Sequence, residues 1–187
     1  AVQNNAYNSS NSLVQLRASA TTWAVNRQSS PLRATNGAPA AYPMVFRGCH
    51  WGTCTVGHSD KKMKQLKEIT SLSSSWSTTL PDPVSGEAFN LAYDLWLDPT
   101  NSNGDRPTGL ELMVWLGKRG AIQPSGKSLR SCVQLAGARW EVWADNSTQP
   151  PVVTFLRQDY NQGTNSCSYS GTRSVSNLDL LDRKSVV

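Results

Sequence analysis

Glu111 is the residue whose surroundings in the sequence are best suited to chemistry. It lies in the apolar segment Leu110–Leu116. Because successive side chains of a β-strand point to opposite faces, Glu111, Met113 and Trp115 would share one face and four aliphatic residues the other. A pyranose ring packs on an indole while a carboxylate meets its anomeric carbon, so this face suits a sugar site. The alternative is an ordinary exposed glutamate beside two partly buried apolar residues.

The segment before it, Ala92–Asp98, repeats this arrangement. Its alternation sets Asp94, Trp96 and Asp98 against an apolar face. Two neighbouring strands would then each present an acidic residue together with a tryptophan, which favours the sugar-site interpretation of both.

A polar loop, Pro99–Gly109, separates the two segments and allows them to pair as antiparallel strands. In that pairing, Asp94 and Trp96 lie opposite Met113 and Glu111. We expect the two carboxyl groups to be close enough for a hydrogen bond and to share a proton, which would raise the pKa of one of them.

Two further segments are rich in aromatic residues. In Gly48–Cys54, two cysteines five positions apart can close a tight disulfide loop that holds a His-Trp pair outward, and the segment has too few ligands for a metal site. In the segment Trp140–Trp143, the two tryptophans fall on opposite faces, so one is expected in the core and the other in a groove wall. The sequence leaves open which is which.

Other kinds of active site have little support. His50 and His58 are the only histidines and no Gly-X-Ser-X-Gly segment accompanies them, so a Ser-His-Asp triad is not indicated. No phosphate-binding glycine loop occurs. The net charge of +5 comes from scattered Lys and Arg residues, and the densest run, Lys61–Lys67, is short, so nucleic-acid binding is not expected. No apolar run is long enough to span a membrane.

The composition is typical of an extracellular β protein of one domain, residues 1–187. Only 17% of the residues are charged, and seven tryptophans are present. The four cysteines favour two disulfides and an oxidising compartment. Short apolar or alternating segments recur between turn residues, which predicts a β-sandwich or jelly roll. The predicted strands are Leu13–Leu16, Thr22–Asn26, Met44–Arg47, Ile69–Trp76, Phe89–Leu97, Leu110–Leu116, Cys132–Leu135, Trp140–Trp143 and Val152–Leu156. Two short helices are predicted, one within Asp60–Ile69 and one starting at Ser176, three residues before Asp179.

Five motifs in order give the chain a family resemblance. They are Asn36–Pro43, Cys49–Cys54, Ala92–Pro99, Glu111–Gly117 and Ala136–Trp143. Together they resemble glycoside hydrolase family 12, especially its bacterial endoglucanases, from about Val2 to about Asp182. The resemblance implies a jelly-roll sandwich of two antiparallel sheets with a concave groove. It also implies retaining hydrolysis of β-1,4-glucans without any metal or organic cofactor.

The resemblance also implies roles for individual residues. Glu111 matches the family's nucleophile, Asp94 the acid that hydrogen-bonds to it, and Met113 the methionine beneath the reacting sugar. Tyr7 stands where the family usually has a groove tryptophan. The remaining groove candidates are Asn5, Trp51 and Trp115.

The match is incomplete at both ends. The family's acid/base glutamate lies on a strand after its single helix, whereas this sequence ends at Arg183–Val187 where that helix should run, and Glu68, Glu87 and Glu141 do not match. The resemblance also implies that the family's first strand, with its cysteine, is missing. Cys49 and Cys54 are then the family's familiar disulfide, and Cys132 with Cys167 is expected as an unusual second one. We therefore expect a catalytic domain truncated at its C-terminus and at its N-terminus.

The resulting expectation is a secreted, monomeric endo-β-1,4-glucanase (cellulase). Its partner would be a β-glucan such as cellulose or mixed-linkage glucan, and its activity would be impaired if the acid/base glutamate is absent. The alternatives are an inactive, lectin-like remnant that still binds glucan, and a shortened chain that does not fold alone.

Overall fold

A computed structural model describes most of the second half of the chain and parts of the first. The described residues are 2–3, 5, 13–19, 22–29, 39, 41–51, 53–55, 65–80, 88–99, 107–169 and 174–180. The chain divides into two compact units, the first comprising Ala1–Met63 with Asn103–Arg106 and the second Lys64–Ser102 with Pro107–Val187. Among the described residues, the regular structure is β-strand apart from one short 3-10 helix.

The described residues of the first unit form three small antiparallel strand pairs. β1 (Val2–Gln3) pairs with β4 (Met44–Val45), β2 (Leu13–Ala18) with β3 (Trp23–Ser29), and β5 (Cys49–His50) with β6 (Thr53–Cys54). In the last of these, Cys49 lies directly opposite Cys54, and a disulfide joins them. The turn between them carries Trp51, which has a positive φ of 43° and is 47% exposed.

The second unit is built on a six-stranded sheet, called here the main sheet. Its strands are β8 (Phe89–Leu97), β9 (Leu110–Arg119), β10 (Lys127–Leu135), β11 (Ala138–Asp145), β12 (Val152–Asn161) and β13 (Ser166–Tyr169). Their order is β10-β11-β12-β9-β8, with β13 also paired to β12. Neighbouring strands are antiparallel except β9 and β12, which pair in parallel from Glu111 with Val152 to Trp115 with Leu156.

A second sheet of two strands, β7 (Ser73–Ser77) and β14 (Ser174–Asp179), packs on one face of the main sheet. The core between the two sheets is formed by Val114, Leu116 and Trp140 of the main sheet together with Leu178 of β14, and Trp76 of β7 packs against it. The second unit is therefore a β-sandwich, as the sequence predicts.

One of the two predicted helices is wrong. Residues Ser174–Asp179, where Ser176 resembles a helix cap, form β14 instead. Pairing with β7 places Leu178 in the core, where it is 7% exposed. Burial of a leucine outweighs the small preference of a capping residue, because local propensities are weak compared with tertiary packing.

The other helical prediction corresponds to a single 3-10 turn at Leu66–Glu68. The Gln65 backbone N–H donates to Glu68 Oε2 at 3.1 Å, and the Glu68 N–H donates to the Gln65 carbonyl at 2.8 Å. Residues 60–64 of the predicted segment lie outside the described residues.

Each predicted strand overlaps a strand of the structure, but several strands are longer than predicted. The alternating apolar pattern identifies only the part of a strand that is buried on one face. Thus the start of β10, whose residues Lys127–Ser131 are exposed, carries no such pattern. The strands outside the nine predicted segments, β1, β5, β6, β13 and β14, are two to six residues long.

Candidate active site

The β8–β9 hairpin brings the two predicted acidic residues together. Asp94 lies opposite Met113, and Trp96 lies opposite Glu111. This is the register predicted from the sequence. Asp94 and Glu111 are therefore diagonal neighbours on one face, a relation in which Cα atoms are about 7–8 Å apart and longer side chains are within reach of each other.

The surroundings of the pair favour the protonated form of each acid. Burial raises the pKa of Asp94 to about 6, although a hydrogen bond from the Trp96 side chain acts in the opposite direction. Burial, followed by the negative charge of Asp94, raises the pKa of Glu111 to about 7. The sequence predicted a raised pKa for one member only, whereas both are raised because desolvation acts on each carboxyl separately.

The face that carries this pair, called here the site face, continues across four strands. In the parallel register, Val152 lies beside Glu111, and Thr154 lies beside Met113. On the other side of β12, Thr154 lies opposite Trp143 and Leu156 opposite Glu141. Since paired residues of adjacent strands share a face, Trp115, Trp143, Thr154, Leu156 and Glu141 belong to the same surface as Asp94 and Glu111.

This register answers a question that the sequence left open. Trp140 belongs to the core between the sheets, where it is 3% exposed and its Nε1–H donates to the Leu135 carbonyl at 2.9 Å. Trp143 points to the site face. It is 9% exposed, so it is buried there and does not form an open wall. Trp115, a predicted groove residue, is also buried, at 6% exposure.

The remaining predicted groove residues do not belong to the second unit. Asn5 and Trp51 belong to the first unit. Asn5 has a φ of 45°, and its carbonyl accepts a hydrogen bond from the Tyr42 backbone at 3.1 Å. Tyr7 lies outside the described residues.

Both expected disulfides are present. Besides Cys49–Cys54 in the first unit, Cys132 of β10 is joined to Cys167 of β13. Cys132 has a φ of 63° and lies where the β10–β11 register is interrupted. Its backbone N–H donates to Gln158 Oε1 at 2.8 Å, so the irregular part of β10 is attached to β12.

Glu141 is the other described glutamate on the site face, and it is 8% exposed. Ser128 Oγ donates to its Oε1 at 2.6 Å. Glu141 is two strands away from Glu111 and four residues further along, which places their Cα atoms about 16 Å apart. It therefore cannot act on the same bond as Glu111.

Asp98 is closer to Glu111 in register. It directly follows the last residue of β8, and continued alternation would place it on the other diagonal of Glu111 from Asp94. Glu68 lies in the 3-10 turn, and Glu87 is outside the described residues.

Sequence reasoning missed Thr154 as part of this face, and it left open whether Trp140 or Trp143 belongs to it. The alternation of Val152, Thr154 and Leu156 is visible in the sequence, but their position beside Glu111 depends on a parallel pairing between strands that are far apart in the chain. No local pattern indicates such a pairing.

Among the described residues, no group of three or more His, Cys, Asp or Glu side chains is arranged to hold a metal ion. The helices of the described part include none that is long and apolar enough to cross a membrane.

A β-sandwich that presents two desolvated, interacting carboxyl groups on one sheet face belongs to the class of fold and site found in glycoside hydrolases. The family model of glycosyl hydrolase family 12 matches residues 1–170, and the chain belongs to this family. Its fold is the all-β jelly-roll sandwich of that family.

Three similar proteins are described as endoglucanases. The endoglucanase Cel12A from Rhodothermus marinus is 31% identical, with 96% of this chain and 71% of that chain covered and a TM-score of 0.74. The structure described as endo-1,4-β-glucanase CelB2 is 31% identical, with 97% and 72% covered and a TM-score of 0.77. Endoglucanase A of Aspergillus kawachii is 36% identical over 95 residues, which are 48% of this chain and 36% of that protein. The aligned part thus spans about a third of this curated relative's length.

Proposed function

We propose that this chain carries the catalytic centre of a β-1,4-glucan hydrolase that acts within the polymer by the retaining mechanism. The observation that carries this proposal is the diagonal pair Asp94–Glu111 on adjacent antiparallel strands, with both pKa values raised. Membership of family 12 and the similarity to endoglucanases support the same class of substrate.

In the proposed reaction, one Glu111 oxygen attacks the anomeric carbon of the sugar above Met113. The glycosidic C–O bond breaks, and the departing oxygen takes a proton. Water then loses a proton and attacks the same carbon, which releases Glu111 and preserves the configuration. Because attack requires the ionised form of Glu111, the rate should fall as pH drops below the upper pKa of the pair.

The proton for the departing oxygen must come from a second carboxyl group, which retaining enzymes place about 5–5.5 Å from the nucleophile. Glu141 is too far away in the sheet to fill this role. Among the described residues, Asp98 is the acid nearest to Glu111 in register after Asp94, and we assign it as the donor to be tested. If no residue fills the role, the loss is about 10²–10⁴-fold in rate.

The finer features of the proposal concern substrate and location. Carboxymethylcellulose and mixed-linkage β-glucan are the substrates to test, since the relatives are described as endoglucanases and, for the Aspergillus terreus protein, as a probable xyloglucan-specific endo-β-1,4-glucanase. The two disulfides support secretion into an oxidising environment. We propose that the protein acts as a monomer.

The test is release of reducing ends from these two substrates by the purified chain and by Glu111→Gln, Asp94→Asn and Asp98→Asn. We expect Glu111→Gln to abolish activity, because an amide cannot form the glycosyl-enzyme, and Asp94→Asn to lower it. A loss of about 100-fold or more in Asp98→Asn, restored for a substrate with an aryl leaving group that needs no proton, would identify the donor. Activity that persists in Glu111→Gln would refute the assignment of the nucleophile.

The same proteins separate the enzyme from a glucan-binding remnant. Cello-oligosaccharide binding to the wild-type chain with no release of reducing ends would favour the remnant. A cooperative thermal transition in that sample shows that the chain was folded when it was assayed.

A further inference from the structure

Buried polar atoms without partners are concentrated on the site face. Within the described part of the chain, eight buried side-chain oxygen or nitrogen atoms have no hydrogen-bond partner. Five of these belong to the site face, and we call their residues the polar floor: Asp94 (Oδ1), Trp115 (Nε1), Glu141 (Oε2), Trp143 (Nε1) and Thr154 (Oγ1). Folded proteins leave few such groups unpaired, because burial without a partner is strongly unfavourable.

The polar floor is one continuous patch. Thr154 lies between Met113 and Trp143, and Asp94 lies beyond Met113. The next row consists of Trp115, Leu156 and Glu141. The side chains of the polar floor thus surround Leu156 and Met113 on four neighbouring strands.

The chemistry of these groups is complementary. The two indoles only donate, the free oxygens of Asp94 and Glu141 accept, and the Thr154 hydroxyl does both. Side chains on adjacent strands have Cβ atoms about 4.5–5.5 Å apart. A water molecule that makes two hydrogen bonds of about 2.8 Å bridges polar atoms at such separations, and buried waters typically make about three bonds to groups that are otherwise unpaired.

The burial of the polar floor favours water over a sugar hydroxyl as its ligand. Thr154 is 1% exposed, Trp115 6%, Glu141 8% and Trp143 9%. A sugar hydroxyl could reach these atoms only if neighbouring side chains moved, whereas a single water molecule is small enough to be enclosed among buried polar groups.

We propose that the polar floor binds a network of ordered water molecules, with Thr154 at its centre. One of these waters gives Asp94 Oδ1 its partner, while the Trp96 side chain hydrogen-bonds to the carboxyl group of Asp94. Thr154 and Asp94 lie on either side of Met113, so the network as a whole, and no single water, would link them. This inference concerns the folded chain and holds whether or not the chain hydrolyses glucan.

The indole N–H groups provide a direct test, with Trp140 as a matched control. Rotating-frame cross-relaxation between water and each indole Nε1–H is measured on the full chain labelled with ¹⁵N, and the signals are assigned with Trp115→Phe, Trp143→Phe and Trp140→Phe. We expect contacts with water for Trp115 and Trp143 and none for Trp140, which donates to the Leu135 carbonyl. Absence of these contacts at both Trp115 and Trp143 overturns the proposal.

Cellotetraose separates water from sugar hydroxyls as the ligand. Water contacts that persist at saturating cellotetraose support the proposal, and contacts that disappear as the sugar binds overturn it.

The near-isosteric change Thr154→Val gives a second, independent result. If waters satisfy the hydroxyl, its removal should lower Tm by about 2–4 °C, whereas removal of a hydroxyl that was truly unpaired should raise Tm. Thr148→Val is the control, because Thr148 Oγ1 donates to the Asp145 carbonyl at 3.2 Å, so the change removes a known hydrogen bond. An increase in Tm for Thr154→Val overturns the proposal.

Discussion

Asp94 and Glu111 have raised pKa values that come from their position in the fold and not from their residue type. Asp145 shows the contrast. It is only partly buried, and hydrogen bonds from Ser125 and Ser147 lower its pKa. At Asp94, burial outweighs the hydrogen bond from Trp96, and the pKa rises to about 6. The pKa of an aspartate is therefore raised at one position of this protein and lowered at another.

We expect the free energy of unfolding to fall as pH rises from about 4 to about 7. In this range the folded chain holds protons that the unfolded chain has already released, because the pKa values of Asp94 and Glu111 are raised to about 6 and about 7. Asp94→Asn should therefore be more stable than wild type at pH 8 by about 2 kcal/mol, with the difference much smaller at pH 4.5. Urea unfolding at the two pH values measures this.

Asp145→Asn is the control of opposite sign. The pKa of Asp145 is lowered, so its contribution to stability is present at neutral pH and disappears as pH falls through that pKa. The variant should lose stability at pH 8. Equal pH dependence in wild type and Asp94→Asn would contradict the burial of this carboxyl group.

At the residue scale, the sequence was sufficient to predict positions that depend only on the alternation of side chains along a strand and on one connecting loop. Asp94 and Glu111 were predicted together because a single hairpin places them there. The position of Thr154 could not be predicted, and the choice between Trp140 and Trp143 stayed open, since β12 joins β9 across 32 intervening residues with two other strands between them.

At the scale of elements, glycine is required for different reasons at two positions of the β10–β11 region. Gly137 follows Ala136 in the two-residue turn that joins Leu135 to Ala138, and both turn residues have positive φ. This is the backbone of a type I′ hairpin turn. Gly126, with a φ of 82°, lies where a Cβ atom would overlap the Ala144 carbonyl oxygen.

We expect Gly126→Ala to destabilise the protein by about 3 kcal/mol or more, because backbone strain and a clash with backbone atoms add. Gly137→Ala should cost only about 1 kcal/mol, since nothing lies within 4 Å of a Cβ atom there and strain alone acts. Chemical denaturation of the two variants measures the difference. Equal losses of stability would show that the close approach of the Ala144 carbonyl is not the reason why this position requires glycine.

The elements also show where local patterns mislead. The strand β14 carries the Ser176 and Asp179 spacing of a helix start, but Leu178 is buried against the main sheet. Its burial depends on strands that precede it by more than thirty residues. The six residues of β14 alone therefore carry no information about this contact. The long strands β8 and β9 were predicted because their own pattern is sufficient.

At the scale of the whole molecule, the two disulfides should contribute unequally. Cys132–Cys167 closes 35 positions of chain and Cys49–Cys54 only 5. In the chain-entropy account, the longer loop contributes about 4 kcal/mol and the shorter about 2. We expect the double variant Cys132→Ala/Cys167→Ala to lose about 2 kcal/mol more than Cys49→Ala/Cys54→Ala, measured by denaturant unfolding. A larger loss from the short loop would contradict the entropic explanation.

The one parallel pairing of the main sheet has a consequence for the order in which the protein assembles. β8 with β9, and β10 with β11 and β12, can each form through contacts between neighbours in the chain, which close quickly. The β9–β12 junction joins these two blocks and needs the longest closure within the sheet. Glu111 stands on one side of this junction and Thr154 on the other. We therefore expect folding to complete the β8–β9 hairpin, which carries the acidic pair, before it completes the four-stranded site face.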